Sequence, residues 1–372
     1  MSATVKPLFD LTLTEEQTLM RETVRRFVSA EMRPISRKAD EGAAAPDGFY
    51  DRCNALGFTM VPIAEAHGGM GAARSPVSNV LIAEDLAYGD MSLALGALSS
   101  LSVVNALTDF GSAAQQAKYL PAFASERFRP AAIALLEPTL RFDPLKPQLK
   151  AQKRGNEYVL RGEKTMVPFG DSAETLLVIA NEEGAGPQAF IIEKGQAGVK
   201  AERESYMGLR PLTLARVTFE DAVVPASAKL GEGEKAFDLR RLVDLARIGV
   251  SSLAVGVCQA VLDYTKDYCK ERVAFGEPIA QRQAVAFMIA DIAIELDAMR
   301  LLVYRAAARA EQGLDFKREA YLARTQCSEM GMKIGTDGVQ LLGGHGFIRE
   351  HMVELWYRNL RAISVLEGLF VV

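Results

Sequence analysis

The spacing of apolar residues changes twice along this chain of 372 residues, and that change restricts the available folds more than any other feature. From residue 14 to about 124 the pattern is helical, with apolar positions at Leu19, Val24, Phe27 and Val28. Thr14-Glu-Glu-Gln17 has the form of a capping box, which satisfies free amides at a helix start. Between residues 130 and 230 the period falls to two. Tyr158-Val-Leu160, Leu176-Leu-Val-Ile179, Phe190-Ile-Ile192 and Val217-Thr-Phe219 are short β-branched or aromatic runs bounded by turn residues. After residue 236 helices return. Ile289, Ile292, Leu296, Met299, Val303 and Ala306 follow a 3-4-3-4-3 spacing, the seam of a helix in a bundle.

Strands without helices between them predict an antiparallel barrel or sandwich, not a βαβ sheet. The expected fold class is therefore α+β multidomain. An N-terminal α-helical domain spans residues 1–128, a middle β domain 129–232, and a C-terminal four-helix bundle 233–372.

Charge removes several function classes. Forty-three Lys and Arg against 47 Asp and Glu leave a net charge of −4, without the basic excess that gripping nucleic-acid phosphates requires. Cys53, Cys258, Cys269 and Cys327 lie far apart and read as free thiols of a reducing compartment. The N-terminal Met1-Ser-Ala-Thr-Val-Lys6 has no apolar signal region, so a cytoplasmic location is expected. Residues 91–108 are uncharged but contain Ser92, Ser99, Ser100, Ser102 and Asn105, which suits a buried helix better than a membrane span.

The three histidines, His67, His345 and His351, form no metal-binding spacing. Neither a G-x-S-x-G elbow nor a G-x-G-x-x-G fingerprint occurs. Gly343-Gly-His-Gly346 lies between helical segments and marks a tight turn open to a ligand.

Longer segments say more. Arg272-Val-Ala-Phe-Gly-Glu-Pro-Ile-Ala-Gln-Arg-Gln-Ala284, Gln340-Leu-Leu-Gly-Gly-His-Gly-Phe347 and Arg358-Asn-Leu-Arg-Ala-Ile-Ser-Val-Leu-Glu-Gly368 resemble signature segments of the flavin-dependent acyl-CoA dehydrogenases. Leu13-Thr-Glu-Glu-Gln17, Ala64-Glu-Ala-His-Gly-Gly69, Lys118-Tyr-Leu-Pro121, Gly208-Leu-Arg210 and Phe219-Glu-Asp-Ala-Val-Val-Pro225 extend the resemblance over nearly the whole chain. It implies FAD as cofactor, an acyl-CoA substrate, and an electron-transfer flavoprotein as acceptor. It also implies a homo-oligomer (dimer or tetramer), or a heterotetramer with an unlike subunit.

The resemblance assigns roles by position. Glu367, in Leu366-Glu-Gly-Leu369, matches the family's catalytic base, which removes the proton α to the thioester while a hydride passes to the flavin. Burial against flavin and acyl chain is expected to raise its pKa toward working pH. Its backbone amide and Gly368 fall beside the thioester oxygen, as in an oxyanion hole. Other family members place the base on a bundle helix, where this chain has Ala246. Arg247 aligns with an arginine beside the substrate, and a helix–helix salt bridge explains it equally well.

The flavin of this family lies between two subunits. Arg272 is expected on its pyrophosphate, Phe275 along the adenine, and Gln283 and Gln340 as hydrogen-bonding groups, while Gly343 and Gly344 permit close backbone approach. That half is intact.

The flavin-ring half departs from the pattern. Leu136 stands where a threonine is expected, and Leu140-Arg-Phe142 replaces a small segment, placing Phe142 at the substrate mouth. Met166 replaces an aromatic wall, and Pro168 replaces a threonine and removes a backbone N–H. These changes are like those in the smaller subunit of heteromeric members. Three functions follow, the first two being an acyl-CoA dehydrogenase subunit forming the trans-2-enoyl-CoA and a flavin-poor partner completing an unlike subunit's FAD site. An acyl-CoA-binding protein without redox chemistry is the third.

Overall fold

The computed structural model describes residues 11–231 and 236–372. The expected domain boundary at residues 232 and 233, and the N-terminal residues 1–6, lie outside the described residues.

The first region is helical. It comprises α1 (Glu15–Phe27), α2 (Ser36–Gly42), α3 (Phe49–Asn54), α4 (Pro76–Gly89), α5 (Met91–Phe110) and α6 (Ala113–Tyr119). The capping box forms as expected: the Gln17 N–H donates to Thr14 Oγ1 and the Thr14 N–H to Gln17 Oε1, each at 3.1 Å. Helix α5 has no charged residue until its last turn. Asp90 caps it by accepting from the Ser92 and Leu93 N–H groups at 2.8 and 3.0 Å.

Seven strands form the middle sheet among the described residues: β1 (Ala131–Ala134), β2 (Lys150–Arg154), β3 (Glu157–Pro168), β4 (Thr175–Glu182), β5 (Gly186–Glu193), β6 (Val199–Glu204) and β7 (Leu214–Pro225). Their order is β1-β4-β2-β3-β7-β6, with β5 also on β4. All four predicted strand segments fall within β3, β4, β5 and β7. One feature corrects the expectation of an antiparallel sheet. Strands β1 and β2 both run parallel to β4, so the sheet is mixed. Alternation of side chains assigns faces to a strand but not the direction of its neighbour.

The last region holds α7 (Leu239–Glu271), the short hairpin β8 (Val273–Ala274) and β9 (Glu277–Pro278), then α8 (Gln283–Glu311), α9 (Lys317–Leu342) and α10 (Val353–Ile363). The predicted α8 seam is buried at Ile292, Leu296, Met299, Val303 and Ala306. Helices α5 and α7 are long and apolar enough to cross a membrane, but 94% and 83% of their apolar windows are buried in the protein. They are core helices. The four cysteines are free and buried.

Candidate active site

Glu367 follows α10 on a turn that α10 itself sets. The Val365 and Leu366 N–H groups both donate to Ala362 O, at 2.9 and 3.1 Å, and the chain then leaves the helix. Gly368 takes φ +77°, and a Cβ there would stand 2.6 Å from Leu135 Cδ2. Only glycine fits this backbone and this contact.

Two guanidinium groups flank the Glu367 carboxylate. Arg247 of α7 places Nε 3.4 Å from Oε2, and Arg324 of α9 places Nε 3.6 Å from Oε1. Arg247 also reaches Asp244 Oδ1 at 3.4 Å, a pair within α7 and not the helix–helix salt bridge expected. The surroundings are ionic, not the apolar pocket expected. A buried carboxylate needs compensating charge, and α7 and α9 supply it from opposite sides. Burial pulls the Arg324 guanidinium below its ordinary pKa, opposed by Glu367.

Both guanidinium groups stay at ion-pair distance from the carboxylate. Glu367 Oε2 is buried and has no hydrogen-bond donor. Among the described residues the Glu367 backbone N–H also has no acceptor. The site therefore combines an ion-paired carboxylate oxygen that accepts no hydrogen bond with an uncommitted amide donor one residue from a left-handed glycine. Ala246 is fully buried and offers no alternative base.

Residues 369–372 continue from Gly368 into the interior, each nearly fully buried. They pass against α5 and α7. Ser102 Oγ accepts the Val371 N–H at 3.0 Å, and Asn105 Nδ2 donates to Val371 O at 2.9 Å. Gly249 admits this segment, since a Cβ there would lie 2.3 Å from Phe370 O.

The strand wall holds Leu136, Met166 and Pro168, all buried. It is organised around an ion pair: Lys164 Nζ donates to Glu137 Oε1 at 2.7 Å and to Leu135 O at 3.0 Å. Glu137 also accepts the Gln148 and Leu149 N–H groups. Burial lowers the Lys164 pKa to about 8 against the pull of Glu137. Phe142 turns in against the core, while Leu140 beside it is fully exposed.

This wall does not fit a flavin ring as the resemblance would require. The Met166 N–H is already donated to Glu204 Oε2, Pro168 has no N–H, and the Leu136 and Met166 side chains offer no strong donor. The remaining expected flavin groups do fit a nucleotide. Arg272, Phe275, Gln283, Gln340, Gly343 and Gly344 are all exposed, and a Cβ on either glycine would meet nothing within 4 Å. They gather at one end of the bundle, where the turn Gly343–Phe347 packs on the last turn of α7. Tyr268 and Tyr264 hydrogen-bond to His345 and His351 at 2.8 and 2.6 Å, and the two imidazoles stack at 5.2 Å.

The two halves do not face one another within a chain. Arg247 and Arg272 are 25 residues apart on α7 and its cap, about 37 Å at 1.5 Å per residue. One dinucleotide cannot use both ends of one chain. Sequence reasoning did not identify Arg324, Glu204, Ser102 and Asn105 as site-forming residues. A cavity of about 1010 Å³ lies elsewhere, lined by Arg21, Arg33, Glu84, Tyr88, Arg300 and Tyr304 among others, and does not include Glu367.

Comparison with known proteins decides the family. Residues 14–127 match the acyl-CoA dehydrogenase N-terminal domain, 132–222 the middle domain and 239–369 the C-terminal domain. The chain belongs to the acyl-CoA dehydrogenase family. The butyryl-CoA dehydrogenase structure from Megasphaera elsdenii is 30% identical, with a TM-score of 0.87, covering 96% of this chain and 95% of that one. The FAD complex of PigA is 26% identical with a TM-score of 0.88, covering 96% and 95%. The caffeyl-CoA reductase–Etf complex subunit CarC of Acetobacterium woodii is 32% identical over 363 residues, 95% of each chain. Members of this family bind FAD, and the three-domain order of this chain is theirs.

Proposed function

We propose that this chain is an acyl-CoA dehydrogenase subunit in which Glu367 takes the α proton of an acyl-CoA thioester. The observation that carries the reading is the buried Glu367 oxygen that accepts no hydrogen bond, in a carboxylate held between Arg247 and Arg324. A general base must reach its proton with an unoccupied lone pair. The uncommitted Glu367 N–H would bond the thioester oxygen as negative charge builds there, with Gly368 giving the chain its turn at that point. Arg247 stands beside the base, and Phe142 is proposed to shape the mouth of the substrate site. The product of the full reaction is the trans-2-enoyl-CoA, with FAD as the family's electron carrier and an electron-transfer flavoprotein as acceptor. The relative named as part of an Etf complex supports that partner.

The strand wall supports a second reading. Its committed donors, set against the open nucleotide half, suit a chain that completes an unlike subunit's FAD site through Arg272, Phe275, Gln283, Gln340, Gly343 and Gly344 while holding little flavin itself. Phe287, Ile294 and Leu301 form an exposed apolar row at seven-residue spacing on α8, which supports assembly into a homo-oligomer or a heterotetramer. Domain boundaries near residues 128 and 232 and a cytoplasmic location belong to the same proposal.

Anaerobic flavin bleaching tests the base. In whichever complex holds FAD, Glu367→Gln should retain fold and flavin but abolish bleaching by acyl-CoA. Unchanged bleaching removes Glu367 from the reaction. The visible spectrum of the chain, alone and beside an unlike subunit, separates the two readings.

A further inference from the structure

We propose that Arg324 is a positioning residue for Glu367, anchoring its segment from upstream while Ser102 and Asn105 anchor it from downstream. The inference rests on the reading of Glu367 as the base.

One guanidinium makes both upstream contacts. Arg324 Nη2 donates to Leu366 O at 3.0 Å, and Nε of the same group stands 3.6 Å from Glu367 Oε1. The planar guanidinium therefore fixes the backbone just before Glu367 and faces the carboxylate with an adjacent edge. Arg324 is only 7% exposed and lies on a long helix, so its own position is set by packing. Arg247 cannot do this alone, because it is shared with Asp244 and, among the described residues, donates no hydrogen bond to the backbone of residues 366–372.

The downstream anchor explains two otherwise odd residues. Ser102 and Asn105 are polar, fully buried and one helical turn apart on the apolar helix α5. A buried hydroxyl and amide without partners would be unfavourable. Ser102 Oγ and Asn105 Nδ2 take the N–H and C=O of Val371, leaving Asn105 Oδ1 unpaired, so α5 grips a single residue by both backbone groups. Glu367 thus sits between two fixed points, Leu366 O and Val371, with Gly368 as the pivot. A base displaced by about 1 Å can lose about 100-fold in rate.

The test reads the base without requiring flavin turnover. Exchange of the α hydrogens of butyryl-CoA is followed by NMR in D₂O, on the protein as isolated with its natural partners. Butyryl-CoA affinity is measured in parallel. Arg324→Gln is expected to slow exchange about 10- to 100-fold while affinity changes less than about threefold, and Arg324→Lys, which keeps the charge but cannot make both contacts at once, to recover only part of the loss. Asn105→Ala is expected to slow exchange in the same sense and provides a second variant should Arg324→Gln not fold. Wild-type exchange in folded Arg324→Gln, or in Asn105→Ala where the former fails to fold, overturns the inference if Glu367→Gln abolishes exchange. Undiminished exchange in Glu367→Gln overturns the reading of the base instead.

Discussion

The backbone N–H of Met166 donates to Glu204 Oε2 at 3.0 Å, so the strand that would back a flavin ring commits that donor within its own domain. Glu204 is fastened further by Thr165 Oγ1 and Tyr206 OH, each at 2.7 Å, and by Arg216 Nε at 3.2 Å. Burial alone would raise its pKa, but these donors together hold it below the ordinary carboxylate value. The wall is therefore a satisfied hydrogen-bond network of its own, and a flavin would have to break it to use that amide.

Restoring ring contacts should tighten flavin binding. Leu136→Thr with Pro168→Thr adds two hydroxyls and one N–H where the structure has none. Two new hydrogen bonds at about 0.5–1.5 kcal/mol each correspond to roughly 5- to 150-fold in the FAD dissociation constant. Equilibrium dialysis of the chain alone measures it. Tight FAD at one per subunit on the unmodified chain would instead show that the wall already accepts the ring.

The nucleotide half should behave differently. Arg272 is exposed at the end of α7, about 37 Å along the helix from Arg247. Arg272→Ala is expected to weaken FAD in the assembled complex by about 1.5–3 kcal/mol, the worth of one charge-assisted hydrogen bond, with little effect on the melting of the isolated chain. An unaltered FAD affinity in the complex would place the pyrophosphate elsewhere.

Much of the architecture was legible because it follows from period. The change from three-to-four to two and back marks the helical, strand and bundle regions, and the Thr14 capping box starts α1 where the sequence places it. The departures at Leu136, Met166 and Pro168 were equally visible, since a missing hydroxyl or N–H is a property of the residue itself. Strand partners were not: β1 and β2 meet β4 in parallel through contacts distant in sequence. Arg324 was invisible for a similar reason. A lone cation on a helix reads as solvated surface until α10 brings Leu366 and Glu367 against it. Ser102 and Asn105 registered only as polar atoms unsuited to a membrane, while their use depends on residue 371 crossing α5.

Gly368 should be intolerant of any side chain. Its φ of +77° is left-handed, and a Cβ would stand 2.6 Å from Leu135 Cδ2. Gly368→Ala is expected to cost about 2–5 kcal/mol from backbone strain and overpacking together. Urea unfolding reads this directly. A loss below about 0.5 kcal/mol would mean that the segment relaxes freely, contrary to its burial.

The Lys164–Glu137 pair predicts a pH dependence of definite sign. Lys164 is fully buried with a folded pKa near 8, while an unfolded lysine titrates near 10.4. Between those values the unfolded chain holds a proton that the folded chain has released, so stability from this group rises with pH. It is fully present above the unfolded value and lost as pH falls through about 8. Measured against Lys164→Met, in which the titration is absent, the wild type should gain roughly 2–3 kcal/mol from pH 7 to pH 10. Taking the difference cancels groups that titrate alike in both proteins. Glu137 keeps its backbone donors from Gln148 and Leu149 in either protein, so neutralising the lysine does not leave the carboxylate bare. Paired urea titrations at the two pH values decide it. A difference that stays flat would show that Glu137 holds the ammonium as firmly as water does, and a difference of opposite sign would show that the pair raises the lysine pKa instead of lowering it.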